Sequence, residues 1–165
     1  MATALWALLC WPSRKILGGG KRRRLGGLLG FSGWLPFARQ IEEIIQSATT
    51  TSSSSSGGGS TSKGVLVSRF LLETIGHPQS EVQDIQFEPV LSTPVMLSHG
   101  TDDGWVDVGL GRQAHGLLTQ MGIRAEWREY RGAEGDGHWI KEPEGFEDVV
   151  RFLEKQAAMV CSMRV

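Results

Sequence analysis

The spacing of apolar residues changes repeatedly along this 165-residue chain, and each change predicts an element. Residues 2 to 10, ATALWALLC, are apolar on every side and rich in good helix formers, which predicts a helix packed inside a larger body. The run LGGLLGFS, from about Leu25 to Ser32, is short and closed by Gly33 and Pro36, as expected of a buried strand. VLVSRFLLETIG predicts a short amphipathic helix ending at Gly76. TPVMLSHG predicts a second strand, apolar through Val95, Met96 and Leu97 as in a parallel sheet covered on both faces. Leu110, Ala114, Leu117, Leu118 and Met121 then recur at helical spacing, with Gly122 where a C-terminal cap belongs. IRAEWREYRG alternates Ile123, Ala125, Trp127 and Glu129 with charged or polar neighbours, a half-exposed strand near a sheet edge. The last helix begins near Pro143 and repeats Phe146, Val149, Val150 and Leu153 behind an acidic first turn.

One stretch has no such pattern. Residues 47 to 63, SATTTSSSSSGGGSTSK, offer almost no apolar surface to bury and are expected to form an unordered insertion. The order is then helix, strand, linker, helix, strand, helix, strand, helix. That alternation argues a parallel α/β sheet wound with helices, in one domain covering residues 1 to 165.

Composition narrows the functional classes. An apolar fraction of 40% and a charged fraction of 21% are those of an ordinary globular protein. A net charge of −1 gives no basic field for nucleic acid, and the basic run Lys21 to Arg24 reads as a solvated turn. Cys10 and Cys161 are far apart and lack C-x-x-C spacing, so neither a disulfide framework nor a zinc site is expected. No apolar run approaches the ~20 residues that span a bilayer. The apolar residues 4 to 10 precede the first basic residues, the wrong order for an export signal, and a cytoplasmic location is expected. A mitochondrial leader is the weaker alternative, because no acid appears before Glu42.

In open α/β sheets, active groups collect beyond the C-terminal ends of the strands. Asp102 and Asp103 follow one such end, and His138 lies in the glycine-rich loop RGAEGDGHW after the next. A carboxylate and an imidazole on adjacent strand-end loops can hydrogen-bond, fixing the tautomer and stabilising the imidazolium during proton transfer. Spacing alone leaves open that all three are solvated loop residues.

TPVMLSHGTDDGWVDVGLGRQAHGLLTQMG followed by WREYRGAEGDGHW resembles the Asp and His segments of the phospholipase/carboxylesterase branch of α/β-hydrolases, which includes acyl-protein thioesterases. LGGLLGFSGWLPF is similar to that family's strand ending in Ser-x-Trp-Leu-Pro. The pairing of H-G-x-x-D-x-x-V, at His99, Gly100, Asp103 and Val106, with G-x-G-H at 135 to 138 carries the resemblance. It implies the C-terminal part of a doubly wound, mainly parallel α/β-hydrolase sheet with flanking helices. Asp103 would be the triad acid and His138 the general base, with Asp102 a solvated neighbour and His99 a structural turn residue. Trp34, Leu35 and Trp105 become candidates for an apolar acyl pocket, or else simple core. The implied substrate is an acyl ester or thioester of a lipid or an acylated protein. No cofactor, metal or nucleic acid is implied, and the oligomeric state is left open.

The resemblance also breaks. Such an enzyme needs a serine on a G-x-S-x-G elbow, and the sequence holds no such motif. Gly30-Phe31-Ser32-Gly33-Trp34 comes nearest but lacks the last glycine, and Leu35-Pro36-Phe37 follows in place of an apolar helix. MATALWALLC instead resembles the helix that follows the elbow, so the chain is expected to correspond to the C-terminal half of such a domain. The expectation is then no triad-dependent activity, an open sheet edge, and poor solubility or dependence on a partner. The competing expectation is a non-catalytic α/β fragment that acts by binding protein.

Overall fold

The computed structural model describes residues 2–11, 24–52, 62–78, 82 and 85–162. In chain order its elements are α1 (Ala2–Cys10), β1 (Leu28–Phe31), α2 (Ala38–Ser52), α3 (Lys63–Thr74), α4 (Glu88–Leu91), β2 (Val95–Gly100), α5 (Val108–Gln120), β3 (Ala125–Tyr130) and α6 (Glu144–Ser162). The three strands form one parallel sheet in the order β1-β2-β3. Every residue of the central strand is buried, as its unbroken apolar run requires.

Strand alternation divides the core. Val95 and Leu97, with their partners Leu28, Ala125 and Trp127, face α1, α2, α3 and α5, where Leu5, Leu8, Leu9, Ile41, Ile45, Leu71, Leu117 and Leu118 are packed. The opposite residues of β3, Glu126, Arg128 and Tyr130, meet α6. Lys155 Nζ donates to Glu126 at 2.7 Å, Arg128 lies 3.5 Å from Asp148, and the Tyr130 hydroxyl donates to Asp148. Helices therefore cover both faces of the sheet.

Capping explains where these helices start. The Ser62 side chain accepts from Val65 N to open α3, and the Asp107 carboxylate accepts from Gly109 N at 2.7 Å to open α5. After α5 the chain turns at Gly122, whose φ of +89° suits a residue without Cβ.

The structure corrects the sequence reading in two places. A helix, α2, stands where none was expected, built on Ile41 and Ile45 against the core, with Ile44 beside them. It runs into the Ser/Thr-rich stretch as far as Ser52, and there Ser47, Thr49 and Thr50 turn their hydroxyls back to carbonyls four residues earlier. Ser62 and Lys63 belong to the start of α3, and 53–61 lie outside the described residues. The one-turn α4, which opens with Pro89 inside its first turn, was also not expected. The sequence reading gave the apolar repeat of α6 without its orientation, and the structure turns it outward: Phe146, Val150 and Leu153 are about half exposed, while Phe152 and Gln156 are buried.

Candidate active site

Two loops meet beyond the C-terminal ends of β2 and β3. Thr101 N donates to Tyr130 O at 2.7 Å, extending the strand pairing by one residue before the loops diverge. Asp102 then crosses between them, its carboxylate accepting from Gly132 N at 2.9 and 3.2 Å. Asp102 is exposed, and its carboxylate fastens the loop that carries His138. Gly104 N returns a bond to Asp136 O at 2.9 Å. The glycines of G-x-G-H have a steric reason: Gly137 has φ +81°, and a Cβ there would stand 2.7 Å from Asp102 O.

This packing brings Asp103 and His138 into contact. His138 Nδ1 lies 2.9 Å from Asp103 Oδ2 and 3.1 Å from Oδ1. A carboxylate only accepts, so Nδ1 carries the proton and Nε2 is left with its lone pair. The Asp103 side chain is wholly shielded from solvent, whereas that of His138 is 40% exposed. Burial alone would raise the Asp103 pKa. The N–H groups of Val106 and Trp105, at 3.0 and 2.9 Å from Oδ1, and the His138 ring outweigh it and hold the carboxyl below its ordinary range. Asp103 is thus kept as an anion behind a half-open imidazole. Among the described residues, no hydroxyl or thiol hydrogen-bonds His138 Nε2.

The other candidates fall around this pair to different extents. The Trp105 ring lies 6.2 Å from the His138 ring, centroid to centroid, and is largely exposed. Trp34 is half exposed in the loop after β1 and makes no ring contact with His138 or Trp105 among the described residues. Leu35 is buried in the main core. Ser32 ends β1 in the left-handed region at φ +46°, buried, with its N–H donating to Ser98 O at 2.9 Å.

One residue of the site was underread. His99 is buried at the end of β2, with Nε2 3.2 Å from Asp103 Oδ2 and 3.0 Å from Val106 O. The available signal was an imidazole in an otherwise apolar buried strand, four residues before the acid. Among the described residues no group of His, Cys, Asp or Glu could hold a metal ion, and no helix is long and apolar enough to cross a membrane.

Comparison with known proteins places this geometry in a known architecture. The crystal structure of Zea mays acyl-protein thioesterase 2 matches with a TM-score of 0.54 at 20% identity, covering 94% of this chain and 51% of that one. That of Arabidopsis thaliana SOBER1 matches with a TM-score of 0.53 at 21% identity, covering 94% of this chain and 48% of that one. The chain thus spans about half the length of the solved structures it matches. No protein-family model and no curated protein sequence matches it. At such identities the likeness establishes the fold: an α/β chain whose three-stranded parallel sheet and flanking helices match those of α/β-hydrolase-like proteins.

Proposed function

We propose that Asp103 and His138 are the acid and the general base of a serine hydrolase acting on carboxylic esters or thioesters. The observation that carries this reading is the 2.9 Å contact between His138 Nδ1 and a shielded, anionic Asp103, which leaves Nε2 free at the C-terminal end of a parallel sheet. His138 Nε2 takes the proton of a serine hydroxyl as the serine oxygen attacks the substrate carbonyl. The imidazolium, stabilised by Asp103, returns that proton to the leaving alcohol or thiol as its bond to the acyl carbon breaks. Water, deprotonated by the same histidine, then releases the acyl group from the serine.

The hydroxyl belongs to a serine on a G-x-S-x-G elbow, which these 165 residues do not contain. Residues 1–165 by themselves then hydrolyse no ester through the triad. Trp105, exposed beside the His138 ring, is the acyl-chain contact this reading favours. Trp34 is a second, and the buried Leu35 could serve only as a wall. The maize protein is an acyl-protein thioesterase, and this proposal takes over its substrate class, the acyl thioester of a protein. Reading the source transcript upstream of Met1 tests it. In-frame codons for a strand and G-x-S-x-G are expected, and a stop codon close upstream with no elbow would contradict it.

A second reading has its own observation. Among the described residues strand β1 pairs on one side only, and α6 turns Phe146, Val150 and Leu153 outward. A non-catalytic chain that binds another protein through these surfaces predicts a complex of fixed stoichiometry when residues 1–165 are isolated from the source cells. A soluble monomer would count against it.

A further inference from the structure

We propose that His99 is a positioning residue that fixes the second oxygen of Asp103, and through it the proton of His138; this rests on reading Asp103 and His138 as the acid and base pair. The argument begins with the unequal treatment of the two carboxylate oxygens. Oδ1 accepts two backbone N–H groups, from Trp105 at 2.9 Å and Val106 at 3.0 Å. Oδ2 has no backbone donor, and it is the oxygen closer to His138. Held only at Oδ1, the carboxylate could turn about that point and carry Oδ2 out of line with the imidazole. His99 Nε2 stands 3.2 Å from Oδ2 and closes that freedom.

The surroundings of His99 decide which ring nitrogen bears the proton. Nε2 faces two acceptors, Asp103 Oδ2 and the Val106 carbonyl at 3.0 Å, so a bare lone pair there would be repelled by both. Nδ1 is buried with no hydrogen-bond partner among the described residues, and a proton on it would have no acceptor there. One shared Nε2–H donated to Asp103 and Val106 satisfies both acceptors and leaves the ring with only its Nδ1 lone pair unpaired. Its seat is built by α5: a Cβ on Gly111 would come within 2.4 Å of His99 Nδ1 and 2.8 Å of the Trp127 ring. The ring fits in the space left by that missing side chain and lies tilted by 44° against Trp127, 6.4 Å away centroid to centroid.

This role differs from filling the core. A leucine could fill much of the space, but only an N–H at this point keeps Oδ2 facing His138. Glutamine at position 99 can carry an N–H to about the place of Nε2, and leucine cannot.

Imidazole nitrogen NMR of the full chain at about pH 8, above the ordinary imidazole range, reads each proton directly. His99 is expected to show the Nε2–H form and His138 the Nδ1–H form. In His99→Leu the ratio of Nδ1–H to Nε2–H at His138 should fall about tenfold, the size expected for one lost hydrogen bond to a charged group, and His99→Gln should keep the wild-type form. Two results would overturn the proposal: a wild-type His99 protonated on Nδ1, or a folded His99→Leu chain whose His138 signals match wild type. The first needs no variant, so it decides even if His99→Leu does not fold. Neither depends on turnover, so if the protein encoded by the full source transcript hydrolysed no ester while these tautomers held, the hydrolase reading would fall and the role of His99 would stand.

Discussion

A Cβ on Gly100 would stand 2.0 Å from the carbonyl oxygen of Gly137, so the strand that leads to Asp103 and the loop that carries His138 touch with no room for a side chain between them. Gly100→Ala must force the loops apart. The expected cost is about 1–3 kcal/mol, typical of overpacking a tight contact, together with loss of the Asp103–His138 hydrogen bond. Urea unfolding measures the first and the His138 Nδ1–H signal the second. An alanine variant that keeps both would show that the close approach is not what aligns the pair.

Asp103 gives the protein an acid-sensitive component of stability. Its folded carboxyl binds a proton less tightly than the same group in the unfolded chain, near ~3.9. The stabilisation is therefore full above that pH and is lost as the pH falls through the lower, folded value. Asp103→Asn should lose about 1–3 kcal/mol at neutral pH, the range for stranding buried hydrogen-bond donors. The gap to wild type should narrow on acidification. Unfolding curves at several pH values check this, and a gap that widened as the pH fell would reverse the sign argued here.

Glu129 behaves similarly with a smaller stake. Arg112 grips its carboxylate with two hydrogen bonds of 2.7 Å and the Trp127 indole adds a third, which lowers its pKa to about 2. The pair is partly exposed, so Arg112→Ala should cost only ~0.2–1 kcal/mol. That cost should be full above the ordinary glutamate value near ~4.3 and fade as the pH drops towards about 2. Comparing unfolding midpoints at neutral and acid pH tests it.

Helix α6 separates two phenylalanines with opposite expectations. Phe152 is buried against Gly27, with a ring carbon 3.3 Å from the place of a Cβ there, and Phe152→Ala should cost about 3–5 kcal/mol. Phe146 faces outward, and Phe146→Ser should change stability by no more than about 0.5 kcal/mol while raising solubility. Equal losses from the two substitutions, read by urea unfolding, would mean that the outward stripe is covered in solution.

Much of the architecture was legible because single physical causes dominated locally. The unbroken apolar run at Val95 to Leu97 could only be a strand covered on both faces, and its end placed Asp103 beside the loop of His138. Helix α2 escaped because Ser and Thr weaken helix propensity, and only the burial of Ile41 and Ile45 reveals why it persists. The orientation of α6 was not legible for a different reason. Periodicity finds an apolar face but not whether anything covers it, and this helix is anchored partly by Asp148 and Lys155, residues that a hydrophobic pattern counts as solvent-facing. The part played by His99 was hidden because sequence distance says nothing about which oxygen of Asp103 lacks a backbone donor.

The central claim, that Asp103 and His138 serve one acid–base reaction, is tested most directly by the kcat/KM for p-nitrophenyl butyrate of the protein encoded by the full source transcript. The account predicts measurable hydrolysis that falls by about 10³-fold or more in His138→Gln and by about 10²- to 10⁴-fold in Asp103→Asn, as when members of a catalytic triad are removed. Hydrolysis that survives His138→Gln unchanged would contradict it.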